Sequence, residues 1–250
     1  MFKKIWVMVI SAFLLVSTMV VRVSAEEAKV SGSASVSVMS NYVWRGQKLS
    51  NSYVIQPSVG ITYNNLGFNM WSNLDSDFND DAEITETDLT VDYSFNIDNF
   101  GFDLGYIYYG LEGVNDTQEI FLSIAYDMFL NPTLTIYYDF DEGDGAFIVA
   151  AISESLPVIN DLTLDLSASV SYNMNNKIMG FDSSGDDFSN FYNGEITASM
   201  SIPVTDSISI DPMLSYSFPL SNDAEDALQA ISNDGDDDII YGGFTVNIGF

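Results

Sequence analysis

An alternation of period two constrains this chain more than any other feature, because one parity is apolar and the other is Ser, Thr, Asn or Asp. Leu162, Leu164, Leu166, Ala168, Val170 and Tyr172 alternate with Thr163, Asp165, Ser167, Ser169, Ser171 and Asn173. The pattern returns over 88–97, 196–202 and 207–218. Successive side chains of a strand point to opposite faces, so each run is a strand with one wet face and one greasy face. Runs bounded by turn residues fall at 30–44, 52–63, 66–75, 84–97, 100–109, 117–129, 132–141, 146–157, 162–174, 191–203, 207–218 and 239–250, twelve in all.

The connections alternate in length. Asn64-Asn65, Asp98-Asn99, Leu130-Asn131, 158–161 and 204–206 are short, whereas 45–51, 76–83, 110–116, 142–145, 175–190 and 219–238 are mostly longer. Short periplasmic turns opposite longer extracellular loops are the pattern of a transmembrane barrel. We therefore expect an all-β fold, a single antiparallel transmembrane β-barrel of about 12 strands, with 10 to 14 fitting the same pattern. A soluble sandwich or lipocalin-like barrel also alternates, but its surface mixes lysine with glutamate. Lysine is nearly absent after the first few residues here.

Lys3 and Lys4 precede an apolar stretch over 5–21, and Val23-Ser24-Ala25 offers small residues before Glu26. That is the three-part form of a secretory signal peptide, which assigns 1–25 to the leader and 26–250 to the barrel. No cysteine is present, which excludes a lipobox and a disulfide framework. Without the leader, Lys29, Arg45, Lys48 and Lys177 stand against all 36 acids, a net charge of −32. Nucleic acid is excluded as a partner, since backbone binding needs clustered Lys and Arg. At the other end, Phe244, Val246, Ile248 and Phe250 alternate with polar or small residues up to a terminal aromatic. This resembles the last strand of bacterial outer-membrane barrels, and implies outer-membrane lipid and the barrel-assembly machinery as partners.

The chain has no histidine, so Ser-His-Asp chemistry is closed to it, and Cys or His metal sites are closed as well. Paired carboxylates could do acid–base work, yet no pair stands out by its spacing. We expect neither an enzyme nor a cofactor. On the polar parity, Asp88, Asp92, Asp103, Asp165 and Asp211 point into the lumen, and Arg45, extrapolated from the first strand, points inward near its outer end. One arginine cannot neutralise five aspartates, so the lumen is expected to be hydrated, negative and favourable to cations and neutral solutes. A second population of acids falls in the long connections: Asp75, Asp77, Asp80, Asp81 and Glu83; Asp182, Asp186 and Asp187; and a third group between Asp223 and Asp238. Within the last, Asp234, Asp236, Asp237 and Asp238 are candidate metal ligands, although EF-hand spacing and a closing glutamate are missing. Diffuse attraction of calcium or magnesium is the plainer expectation. Residues 223–231, with a Ser or Asn cap and early acids, can form a short helix that folds into the mouth or lies outside. Trp44, Trp71, Tyr106, Tyr108, Tyr109, Tyr137, Tyr138 and Tyr216, near strand ends, are candidates for the interfacial aromatic girdles.

Ser37-Val-Met-Ser-Asn-Tyr-Val-Trp-Arg-Gly46, then Gln56-Pro-Ser-Val-Gly60 and Gly67-Phe-Asn-Met-Trp-Ser-Asn73, resemble the Gcw-type family of bacterial outer-membrane proteins of unknown function. The resemblance covers about the first fifty residues after the leader. It implies a single barrel and a porin-like role, and supplies no substrate. In that context Gly46 can take a positive φ, Trp44 can anchor the interface, and Arg45 either satisfies lumen carboxylates or filters solutes. The sequence thus points to a porin-like outer-membrane channel for passive passage of small solutes, expected to prefer cations because of its lumen acids; the alternative is a closed structural or binding barrel with acidic surface loops.

Overall fold

The computed structural model describes residues 29–79, 81–158, 162–232 and 234–250. The leader at 1–25, Asp80, the 159–161 part of one short turn, and Asn233 lie outside the described residues.

The chain runs through β1 (Val30–Met39), a small hairpin of β2 (Val43–Trp44) and β3 (Gln47–Lys48), and then β4 (Val54–Tyr63), β5 (Leu66–Phe78), β6 (Asp81–Ile97) and β7 (Phe100–Leu111). It continues with β8 (Thr117–Tyr126), β9 (Thr133–Asp139), β10 (Gly145–Pro157), β11 (Thr163–Met174), β12 (Ser189–Thr205) and β13 (Ile208–Pro219). The helix α1 (Asn222–Ile231) and the last strand, β14 (Ile239–Gly249), complete it. Each strand from β4 to β14 pairs antiparallel with its sequence neighbour, and β1 pairs with both β14 and β4. The result is a closed barrel of twelve strands with no free edge.

Register keeps the two parities apart around the whole circumference. Val36 lies opposite Val246 on one side and Pro57 on the other, and Leu122 opposite Leu104 and Ile136. Val36, Leu89, Val91, Ile120, Ile136, Leu166 and Leu214 are all exposed on the outer face. The inner face is laced by polar pairs between neighbouring strands: Ser37 with Thr245 at 2.8 Å, Ser123 with Thr135 at 2.9 Å, and Thr197 with Ser215 at 2.6 Å. A greasy exterior around a polar interior inverts a soluble barrel and suits a lipid surround. Among the described residues no helix is long and apolar enough to cross a membrane, which says nothing of crossing by strands.

Turn chemistry closes the short-turn end. Asn64, Asp98 and Asn131 all take positive φ, the left-handed conformation that Asn and Asp tolerate best among residues with a Cβ. On the outer face next to those turns, Tyr93, Phe95, Phe102, Phe100 and Tyr126 form a chain of ring contacts with centroids 4.7–6.3 Å apart. This aromatic belt is built mainly of phenylalanine, which is why a search for Tyr and Trp passes over it.

Three expectations are corrected. β1 stops at Met39 rather than 44, because the chain leaves the wall and turns inward. The stretch 76–83 is not an open loop: β5 and β6 extend their ladder, with Asp75 opposite Glu83 and Phe78 opposite Asp81. Asp75 is buried there, accepting from Ser52 Oγ at 2.5 Å and from the Asp77 amide at 2.9 Å. Finally, Trp44, Trp71, Tyr109 and Tyr137 are not girdle residues, since their rings gather inside the barrel; Tyr138 and Tyr216 do face outward.

Candidate functional site

At the end carrying the long connections, three segments fold into the mouth. The first is the β2–β3 hairpin, whose two turn residues, Arg45 (φ 52°) and Gly46 (φ 85°), are both left-handed. That is the geometry of a two-residue hairpin turn, and Gly46 also lies against the Asn193 side chain, where an added Cβ would come within 3.0 Å of its amide nitrogen. The turn aims Arg45 at the inner wall. Its Nη1 and Nη2 donate to Glu119 Oε1 and Oε2 at 2.8 and 2.7 Å, a bidentate ion pair, and Tyr109 donates its hydroxyl to the same carboxylate at 2.8 Å. The guanidinium lies 4.3, 4.4 and 4.7 Å from the ring centroids of Trp44, Tyr137 and Phe147. A planar cation fits both the carboxylate fork and the ring faces.

The second segment is the β11–β12 connection, with a short 3-10 turn at Lys177–Met179, and the third is α1. Ser221 caps α1, its Oγ accepting from the Ala224 amide at 3.2 Å while donating to the Phe191 carbonyl at 2.6 Å. The helix buries Ala224, Ala227 and Leu228 against Met179, Phe188, Tyr192 and Phe147. Gly180, at φ 86°, allows the 3-10 turn to approach within reach of Ala227. Gln47 joins hairpin to turn by donating to the Ile178 carbonyl at 2.9 Å, and Tyr192 donates to the Met179 carbonyl at 2.9 Å. The principal hydrophobic core of this protein is therefore a plug at the mouth.

Two further cations are fixed around that plug. Lys48 pairs with Asp234, and Lys177 with Asp144 at 3.2 Å. The pairing with Lys48, together with the Ser232 hydroxyl, holds the Asp234 carboxyl well below the usual carboxylate range. Hydrogen bonding to Asp144 raises Lys177. Asp237 accepts from Gln229 at 3.0 Å and Asp238 from the Tyr216 hydroxyl at 2.7 Å. Asp234, Asp237 and Asp238 thus serve three different partners, and Asp236 donates its amide to Asp234. Among the described residues, no three Asp or Glu side chains come together to hold a metal ion.

Three of the lumen aspartates are partnered by neutral side chains of neighbouring strands. Asp103 accepts from Ser94 at 3.0 Å, Asp165 from Ser155 at 2.5 Å, and Asp211 from Asn247 at 2.8 Å and Ser201 at 3.2 Å. Asp92 lies over Gly67, whose missing side chain makes room for the carboxylate. Asp88 sits nearer the plug and leaves one buried carboxylate oxygen without a partner. Arg45 goes to none of the five. Its partner is Glu119, which is not among the lumen acids expected from sequence but shares the inward parity of Phe121 and Ser123, so the alternation of β8 is the signal that marks it.

Two cavities meet at the plug. One, of about 360 Å³, lies on the lumen side of the hairpin and reaches Arg45, Trp71, Asp88 and Tyr137. The other, of about 590 Å³, lies between the hairpin and the β7–β8 connection and reaches Tyr42, Gln47, Glu86 and Val114. Both are bounded by Trp44 and Tyr109, whose rings meet edge to face at 5.8 Å.

No family model matches the chain, and no curated protein matches it by sequence. Solved structures do match the fold. The NanC porin superposes with a TM-score of 0.53 at 12% identity, over 87% of this chain and 98% of that one. An outer-membrane channel from Pseudomonas putida F1 gives a TM-score of 0.53 at 12% identity, over 89% and 95%. At such identity the likeness concerns architecture: the chain has the closed barrel of these channel proteins.

Proposed function

We propose that this chain is an outer-membrane channel through which small solutes pass passively, with a preference for cations. The observation that carries the proposal is the inverted barrel, greasy outside and polar inside, whose lumen face carries Asp92, Asp103, Asp165 and Asp211, with Ser and Asn rather than Lys or Arg beside the last three. Arg45 adds no opposing positive field, since Glu119 neutralises it within the plug. The likeness to a porin and an outer-membrane channel and the Gcw-type resemblance of the first strands support the same location and role. In this orientation the short turns face the periplasm and the plugged mouth faces outward.

The second reading, a closed barrel that binds or scaffolds at the cell surface, is favoured by one observation, the apolar seal between α1, the 3-10 turn and the hairpin. Single-channel recording of the purified mature barrel in planar bilayers, with a salt gradient across the membrane, separates the two. Discrete steps with a cation-selective reversal potential are expected. Silence from a folded, inserted barrel would leave the closed reading.

A further inference from the structure

The 590 Å³ cavity at the mouth combines apolar walls with one buried carboxylate that has no counter-charge among the described residues. Tyr42, Trp44, Leu111, Val114 and Ile178 supply apolar and aromatic lining, and Glu86 supplies the charge. Glu86 is 7% exposed, its side chain hydrogen-bonds only the neutral Tyr42 hydroxyl and the neighbouring acid Asp88, and no cation of the described residues pairs with it. The four basic residues of the described chain are committed elsewhere: Arg45 to Glu119, Lys48 to Asp234, Lys177 to Asp144, and Lys29 beside Asn64 at the opposite end of the barrel. Two strand positions away, Asp88, which lines the neighbouring 360 Å³ cavity, hydrogen-bonds Glu86 and leaves a buried oxygen unpartnered, so two inward acids meet here without an ion-pair partner among the described residues. Burying a carboxylate without a counter-charge is unfavourable, and a bound cation relieves it.

The geometry points to a binding site for an organic cation with an apolar body, an ammonium group bearing an aromatic or alkyl substituent. The ammonium supplies the missing counter-charge for Glu86 and meets the electron-rich rings of Tyr42, Trp44 and Tyr109, while the body replaces water against Leu111, Val114 and Ile178. A small hydrated metal ion would leave that apolar wall unused, and an anion would face Glu86 and Glu142 across the same cavity. The inference does not depend on whether the barrel conducts, because the site lies on the outer side of the Trp44–Tyr109 contact.

The test is calorimetric titration of the folded mature barrel, in a non-ionic detergent, with benzyltrimethylammonium, benzyl alcohol and benzenesulfonate. Benzyltrimethylammonium is expected to bind saturably and at least about tenfold more tightly than benzyl alcohol, with no binding of benzenesulfonate. Glu86→Gln should erase the advantage of the cation. Val114→Trp, which fills the cavity from an exposed loop without touching Glu86, should weaken both the cation and the alcohol. Heat-modifiable migration and circular dichroism confirm that each variant is folded. Absence of saturable binding, equal affinity for cation and alcohol, or a Glu86→Gln variant that keeps the preference would each overturn the assignment, whatever the conductance experiment gives.

Discussion

Placing a guanidinium among Trp44, Tyr137 and Phe147 takes it out of water at a cost of several kcal/mol, which only a well-formed counter-charge and ring contacts offset. Glu119 fulfils that role with two hydrogen bonds, and removing one partner strands the other. Glu119→Gln is expected to destabilise the barrel by about 3–5 kcal/mol, whereas Arg45→Met combined with Glu119→Gln should cost clearly less than the two single changes added. Denaturant unfolding of the four variants in lipid vesicles measures this, and additivity within about 0.5 kcal/mol would show the pair to be uncoupled. A second residue makes a pH test. Asp116 accepts from the Tyr108 hydroxyl and from the Leu111 amide, and these hold its carboxyl below the usual range. A carboxylate lowered on folding stabilises the native state above its unfolded value, roughly pH 4, and that contribution is lost as pH falls through the lower folded value. Tyr108→Phe removes the larger cause, so the Asp116 titration followed by NMR should move up toward the ordinary carboxylate range; an unmoved midpoint would refute the attribution.

Among the elements, the helix α1 depends on a single polar cap. Ser221→Ala removes the acceptor for the Ala224 amide and the donor to Phe191, and such caps contribute about 1 kcal/mol. Hydrogen exchange should therefore accelerate roughly fivefold for the α1 amides while the wall strands stay protected. Equal acceleration in β12 and β13 would mean that α1 and the wall open as one unit. The cap and early acids of α1 are visible in the sequence, and the twelve strands are visible because a wall with lipid on one side and water on the other imposes strict period two. The hairpin is not visible in the same way. Val36, Val38, Tyr42 and Trp44 continue the wall's alternation, so nothing local distinguishes a strand that carries on from one that ends at Met39 and folds in; only the left-handed Arg45-Gly46 turn marks the change. Likewise, Asp75 and Glu83 look like loop acids, but a ladder that extends past the bilayer into water can hold acids in register. The Arg45–Glu119 pair joins residues 74 apart, a contact set by closure of the sheet and by the inward hairpin together, and no local pattern encodes it.

For the whole molecule, the decisive property is the imbalance between 36 acids and the four bases that follow the leader. Three of those bases are consumed in ion pairs at the mouth, so the lumen field is set by aspartates whose hydrogen-bond partners are neutral. Such a field acts over a Debye length, about 10 Å at 0.1 M salt and about 3 Å at 1 M. On the proposed function, a cation preference should accordingly be strong at 0.1 M potassium chloride and shrink by 1 M. An asparagine keeps one acceptor oxygen, enough for Ser94 at position 103 and for Asn247 at position 211, where the Ser201 hydroxyl can turn to accept from the new amide NH2, so the triple substitution Asp92→Asn, Asp103→Asn and Asp211→Asn should leave the barrel folded while moving the reversal potential toward zero. Conductance need not fall, since the lumen keeps its width. A reversal potential that keeps its full cation-selective value in the triple variant would place selectivity in the acidic mouth and refute the lumen aspartates as its source.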